Sequence, residues 1–412
     1  MIWVARLAPL LAFLALGIDP VRATAGESAF RDSLSGVLVV GLAHGTGERS
    51  WVEGGFGKLD VGQDQAVAAV DGVIAWRSSL TERLGAVVSV STHLGERSIG
   101  GLDEAYLTLR ADPGQAWRLS GRAGLFFPPA SLEHDGSEWS PIHTLTPSAV
   151  NSWIAEEVKT VGVEATLRGT LAGRQTGFTV AAFQGNDTAG ALLAFRGWAL
   201  HSRRATLGGD FDLVPLAPLF QGGQSQKSNS IDEVDGRVGV YARADIALNE
   251  QVTGSLFAYD NRGDRGSLVA GQYAWRTRFV QAGLRWVPDS KTVVLAQATS
   301  GNSAMGGAVS GQYPADIGFS GAYGLVSRAI GAGTLTARVD QFAIDDRSFK
   351  ALDNNAEHGW GATANWSQPL TTSTDFVAEA VFVHSDRPAR LRLGIDRSQD
   401  SLATRVAVRA RF

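Results

Sequence analysis

The feature that most constrains this chain is a recurring segment of about ten residues in which apolar and polar side chains alternate, each closed by a Gly, Asp, Asn or Pro-rich break. Ala105, Leu107 and Leu109 alternate with Glu104, Tyr106, Thr108 and Arg110 before an Asp112-Pro113-Gly114 turn. Val161, Val163, Ala165 and Leu167 oppose Gly162, Glu164, Thr166 and Arg168, and Val280, Ala282, Leu284 and Trp286 oppose Gln281, Gly283 and Arg285. A period of two is the signature of a strand with unlike faces. Past the N-terminus no stretch approaches the ~18 apolar residues of a transmembrane helix. Such a chain can cross a membrane only as a closed barrel.

A soluble sandwich also alternates, so two further features matter. The segments run near the roughly nine to eleven residues that a tilted spanning strand needs. Trp117, Trp286, Trp366 and Phe412 fall at segment ends, where an interfacial aromatic girdle lies. One segment, Thr334 to Ile344, changes phase near Gln341, which a bulge would absorb. The expected fold is all-β: a transmembrane antiparallel β-barrel of about 16 strands (14–18) over residues 26–412, in the outer membrane of a Gram-negative bacterium.

Arg6 followed by an apolar run from Leu7 to Ile18 and by Ala23-Thr24-Ala25 reads as a signal peptide over residues 1–25. The absence of cysteine excludes disulfide frameworks, thiolate metal sites and cysteine nucleophiles. A net charge of -4 gives a nucleic-acid partner no support. Outer-membrane lipid, the barrel-assembly machinery and small solutes or anions are the expected partners, with no cofactor.

The last eleven residues place Leu402, Thr404, Val406, Val408, Ala410 and Phe412 on one face and Arg405, Arg409 and Arg411 on the other. They look like the terminal strand of bacterial outer-membrane barrels, in which the final aromatic, here Phe412, belongs to the assembly signal. Arginines also dominate the other inward faces: Arg110, Arg118, Arg122, Arg168, Arg237, Arg243 and Arg285, against Glu104, Glu164, Asp245 and Glu379. Arg338 and Asp340 join them if Thr334 to Ile344 is a strand. Acids gather in the long breaks Phe126–Glu157, Pro215–Asp235, Ser300–Gly318 and Asp345–His358. An arginine-lined wall favours anions, unless the arginines pair with inward acids and only hold the wall.

The break from Phe126 to Glu157 is the longest, and a loop of that length packs on something. Folding into the lumen as a constriction, with Glu133, His134, Trp139 and Trp153 as its candidate residues, is the preferred reading. Ser148 is placed to cap a short helix, with Glu156 and Glu157 exposed. His134 and His143 lie near Glu133 and Asp135, but their spacing matches no familiar metal site. Asp260 to Asp264 reads as a polar turn that could hold calcium. Ser131, His134 and Asp135 are close in sequence without a nucleophile elbow, so catalysis has little support.

Gly121-Arg122, leading through Phe127-Pro128-Pro129 to Leu132-Glu133, resembles the strand-then-loop motif of the phosphate-selective porin O/P family. The blocks Ser50–Gly62, Thr144–Trp153, Gly185–Gly190 and Gly271–Phe279 are similar to those of porin-like outer-membrane proteins. The resemblance implies a 16-stranded barrel, commonly trimeric, that passes small solutes. The five lysines, Lys58, Lys159, Lys227, Lys291 and Lys350, are scattered, whereas phosphate-specific members cluster theirs near the mouth. The expected function is a passive diffusion porin, not an enzyme, with mild anion preference. The alternatives are a plugged structural or ligand-binding barrel and a barrel enzyme acting on lipid.

Overall fold

A computed structural model describes residues 32–93, 100–349 and 353–412. The expected signal peptide lies outside them. Sixteen strands form one closed barrel: β1 (Ser33–Gly45), β2 (Gln65–Ser79), β3 (Leu84–His93), β4 (Gly101–Leu109), β5 (Arg118–Phe126), β6 (Thr160–Leu171), β7 (Arg174–Gln184), β8 (Gly239–Ala247), β9 (Val252–Asp260), β10 (Arg276–Asp289), β11 (Thr292–Met305), β12 (Ala315–Ile330), β13 (Gly333–Asp346), β14 (Glu357–Pro369), β15 (Thr374–Asp386) and β16 (Ser398–Arg411). Each pairs antiparallel with its sequence neighbours, and β16 returns to β1 with Val37 opposite Arg411 and Gly45 opposite Ala403. Closure leaves no unpaired edge, as a strand structure in lipid requires.

Connections alternate between short turns at one end and longer loops at the other. In barrels of this kind the short turns face the periplasm. The outward face carries exposed Leu42, Ile74, Val88, Leu119, Val163, Val180, Leu256, Val280, Val339 and Val406. An arginine at the same depth costs about 2–4 kcal/mol, so the charges turn inward. Trp117, Trp286 and Phe412 are exposed at the short-turn rim, and Trp366 there is half-buried against Gly333.

The chain end closes the seam. Gly36 N–H donates to Phe412 O at 3.0 Å, and Phe412 N–H donates to Gly36 O at 3.2 Å. A Cβ on Gly36 would sit 2.7 Å from the Phe412 ring, so glycine makes room for the aromatic. Deleting Phe412 is expected to lower the yield of assembled, heat-modifiable barrel severalfold in isolated outer membranes. An unchanged yield would remove the chain end from assembly.

The phase change near Gln341 is not a bulge. β13 pairs with β12 and β14 without a register shift. Its inward residues are Thr336, Arg338, Asp340, Phe342 and Ile344, and Gln341 faces outward near the loop end. The apparent phase change arises because the inward face turns apolar where it meets loops folded into the barrel. Two shifts do occur, between Ser89 and Val90 and between Trp286 and Asp289.

Candidate functional site

Residues 127–159, between β5 and β6, leave the rim and make a circuit of the inner wall. Arg122 on β5 donates to Phe127 O at 2.8 Å, and Arg243 on β8 donates to Pro129 O. Gln297 on β11 binds Ala130 O at 2.8 Å and Leu132 N at 3.0 Å. Glu138 crosses to Arg77 on β2 at 2.7 Å and accepts from Ser35 on β1. Glu379 on β15 then takes Leu145 N and Thr146 N, and Asp340 on β13 takes Ala149 N at 3.0 Å. Helix α1 (Ala149–Ile154) is capped by Ser148, whose hydroxyl accepts from Asn151 N, and packs on β12 and β13. The loop is held by wall side chains aimed at its backbone.

A second loop, residues 185–238, fills the lumen above the first. Its helix α2 (Ala189–Arg196) is buried, and Trp198 enters a gap on β12 where Gly321 has no side chain: a Cβ there would meet Val150 at 2.9 Å. Trp153, Trp198, Phe279, Phe319 and Phe342 form one aromatic cluster with centroids 5.0–6.4 Å apart. Aromatics of this size dominate core energetics, so the loops form a second core inside the barrel. Charged side chains drawn in with it form ion pairs. Lys58 meets Glu357; Arg387 binds Glu357 and four loop acceptors; Arg390 binds Glu48 at 2.8 Å.

Glu156 and Glu157, expected to be exposed, are buried. His134 Nε2 meets Glu156 at 2.8 Å, and Arg204 binds Glu156 at 3.3 Å and Asp103 at 2.7 Å. Glu157 is held by Arg196 at 2.6 Å and His201 at 3.0 Å. Burial raises the Glu157 pKa, but Arg196 and His201 outweigh it and leave the group lowered. Burial lowers His201. Both ring nitrogens of His134 are engaged, Nδ1 by Ser131 at 2.9 Å, so His134 is a loop strut.

Asp187, Glu233 and Asp235 bring three carboxylates within 4.8 Å in the second loop. Burial first, then Glu233 and Asp235, push the Asp187 pKa up from 3.8 to about 7. A raised acid is most stabilising while protonated in both states, and that stability is lost as pH rises from 3.8 through about 7. Asp187→Asn is therefore expected to stabilise the fold above about pH 8 by on the order of 1 kcal/mol, seen as a higher heat-modification temperature, with little effect near pH 4. A less stable variant at the higher pH would contradict this.

Beneath the first loop, toward the periplasmic turns, lies a cavity of about 670 Å³. Its wall includes Arg118, Arg122, Arg168 and Arg243 from β5, β6 and β8, with Glu164, Asp245 and the loop residues Asp135, His134 and Trp139. Arg122 pairs with Glu164 at 2.8 Å, and Arg243 with Asp245 at 2.7 Å. Arg118 and Arg168 stand directly opposite one another across β5 and β6. Like charges so placed destabilise a sheet, and both face the water of the cavity.

The remaining expected pore residues divide. Arg405 meets Asp60 from the connection between β1 and β2, and Arg409 and Arg411 share Asp375, at 3.2 and 2.8 Å. Arg285 faces inward on β10 below the loop and is exposed. Arg110 lies just past β4, half-buried. Arg237, expected on an inward strand face, stands in the loop ahead of β8, exposed and paired with Asp264 at 2.9 Å, because β8 begins two residues later. Trp139 N–H donates to Ala155 O, and Trp153 N–H to Ala189 O. Asp260 pairs with Arg276, and Asn261 bridges two backbone groups, so this turn is tied by its own chain. Arg77, Arg196, Arg204, Arg387 and Arg390 went unremarked in sequence, since pairing between segments distant in the chain leaves no local signal.

No family profile and no curated protein matches the chain. Solved structures do. The outer-membrane channel DcaP of Acinetobacter baumannii is similar with TM-score 0.57 and 12% identity, over 95% of this chain and 100% of that one. The fold is porin-like. A loop L8 deletion mutant of OmpT, an outer-membrane protein of Vibrio cholerae, gives 0.53 and 9%, over 93% and 100%. The anion-selective porin from Comamonas acidovorans gives 0.51 and 11%, over 93% and 99%. The likeness extends over the whole barrel and shows a β-barrel of the porin fold.

Proposed function

We propose that this barrel is a passive diffusion channel for small hydrophilic solutes with a mild preference for anions. The observation that carries the reading is the cavity beneath the folded-in loop, where four arginines face three acids. Guanidinium groups in a confined, low-dielectric space replace part of an anion's hydration and raise its local concentration. Arg122 and Arg243 are held by Glu164 and Asp245, so the field attracts without trapping. The similar Comamonas porin is anion-selective by its description. Liposomes carrying the purified barrel are expected to admit small organic anions faster than neutral solutes of equal size, and those faster than cations. Equal rates for all three would remove the preference and leave the channel.

A second reading has its own observation. The loops build an apolar core across the extracellular half of the lumen, as expected of a plugged barrel that binds ligands with its loops. Liposomes that exclude every solute while the protein is folded would favour it.

A further inference from the structure

A smaller cavity, about 70 Å³, lies against the wall formed by β16, β1, β2 and β3, apart from the arginine-lined one. Val37, Val39, Val73 and Ala407 supply its apolar walls. Ser91, His93 and Arg405 also line it, and they are 3%, 6% and 7% exposed. Ser91 Oγ, His93 Nε2 and Arg405 Nε have no hydrogen-bond partner among the described residues. A buried polar atom without a partner costs roughly 1–3 kcal/mol, and three at one cavity call for a common explanation.

The histidine is oriented. His93 Nδ1 lies 2.7 Å from Asp71 Oδ1 on β2, and Ser202 holds the other carboxylate oxygen at 3.5 Å. Because the carboxylate only accepts, Nδ1 carries a proton and Nε2 is the free edge. In the neutral ring Nε2 is an acceptor; on protonation it becomes a charged donor. Ser91 and His93 make no hydrogen bond to each other, which excludes a serine–histidine nucleophile here.

We propose that this cavity binds one small anion, of chloride to formate size, and that His93 protonation controls its capture. Arg405 Nε–H and Ser91 O–H donate from one side and protonated His93 Nε2–H from the other, within apolar walls that strengthen each bond. The charged groups around His93 are consistent with this sign. Asp71 faces it from β2; Arg405 and Arg409 from β16; Glu156, Arg203 and Arg204 from the loops. Asp60, Asp375 and Asp103 occupy other nitrogens of Arg405, Arg409 and Arg204. With His93 neutral the lining offers two donors and one opposing lone pair. With His93 charged it offers three donors. The site is independent of whether the barrel conducts.

Bromide is the probe. Crystals of the whole protein soaked in sodium bromide, at about pH 5.5 and about pH 8, bracket the range in which histidine changes charge. Anomalous diffraction is expected to place bromide among Ser91, His93 and Arg405 at the lower pH. Binding should weaken by about tenfold at the higher one, the scale of one charged hydrogen bond. In His93→Gln, which keeps a neutral side chain of similar reach, occupancy should no longer depend on pH. Should that variant fail to fold, the wild-type pair decides alone. No bromide in the cavity at the lower pH, equal occupancy at both pH values, or pH dependence surviving in folded His93→Gln would each overturn the proposal.

Discussion

Replacing Arg338 by alanine is expected to loosen the 127–159 loop from the wall and raise single-channel conductance severalfold. Arg338 sits on the inward face of β13, fully buried, and uses all three guanidinium nitrogens. Nε meets Asp340 at 2.8 Å; Nη1 meets Glu133 at 3.1 Å and Thr146 O at 2.7 Å; Nη2 meets Pro147 O and Thr363 Oγ1, both at 3.0 Å. Its removal leaves Asp340 and Glu133 buried without their counter-charge, at a cost of about 3–5 kcal/mol. Glu133 also gathers Ser148 and Asn151 at the start of α1, so the loss falls where the loop is most tightly held. Arg338→Lys keeps the charge but lacks the planar fork, and its effect should be intermediate. The checks are conductance in planar bilayers and the temperature of heat modification. Wild-type values for both in Arg338→Ala would show that the loop is held elsewhere.

The second large effect concerns ion preference. Changing Arg118 and Arg168 together to glutamate is expected to move the reversal potential in a potassium chloride gradient from the chloride side to the potassium side. These two arginines face each other across β5 and β6 and line the large cavity. Neither lies among the buried pairs that hold the loop, so the barrel should still fold. Reversing both charges in a cavity already containing Glu164, Asp245 and Asp135 turns its field negative. An unmoved reversal potential in a folded double variant would place the selectivity filter outside this cavity.

The barrel was legible because lipid on one face and water on the other impose a period of two that survives in sequence, as in β6 and β10. The strand count followed from the same pattern. The long loop after β5 was legible from its length, and the Ser148 cap from local hydrogen-bond chemistry. What stayed hidden was the inner core. Loop acids such as Glu156 and Glu157 read as exposed because nothing local announces Arg204, Arg196 or His201, which meet them from another loop. The same blindness turned the apolar upper half of β13 into an apparent bulge, since Phe342 and Ile344 are explained only by the loops packed on them. Arginines were read as inward from alternation alone, and Arg237 shows the limit of that reading, because its strand begins two residues later. Which residues an arginine faces depends on register, and the pairing of β5 with β6 brings Arg118 opposite Arg168.

The measurement that tests the channel reading most directly is single-channel conductance of the purified, folded barrel in a planar bilayer across a potassium chloride gradient. Steady unitary conductance, with reversal displaced toward the chloride potential, is the expected result. No conductance from heat-modifiable protein would contradict it and leave a barrel sealed by its own loops.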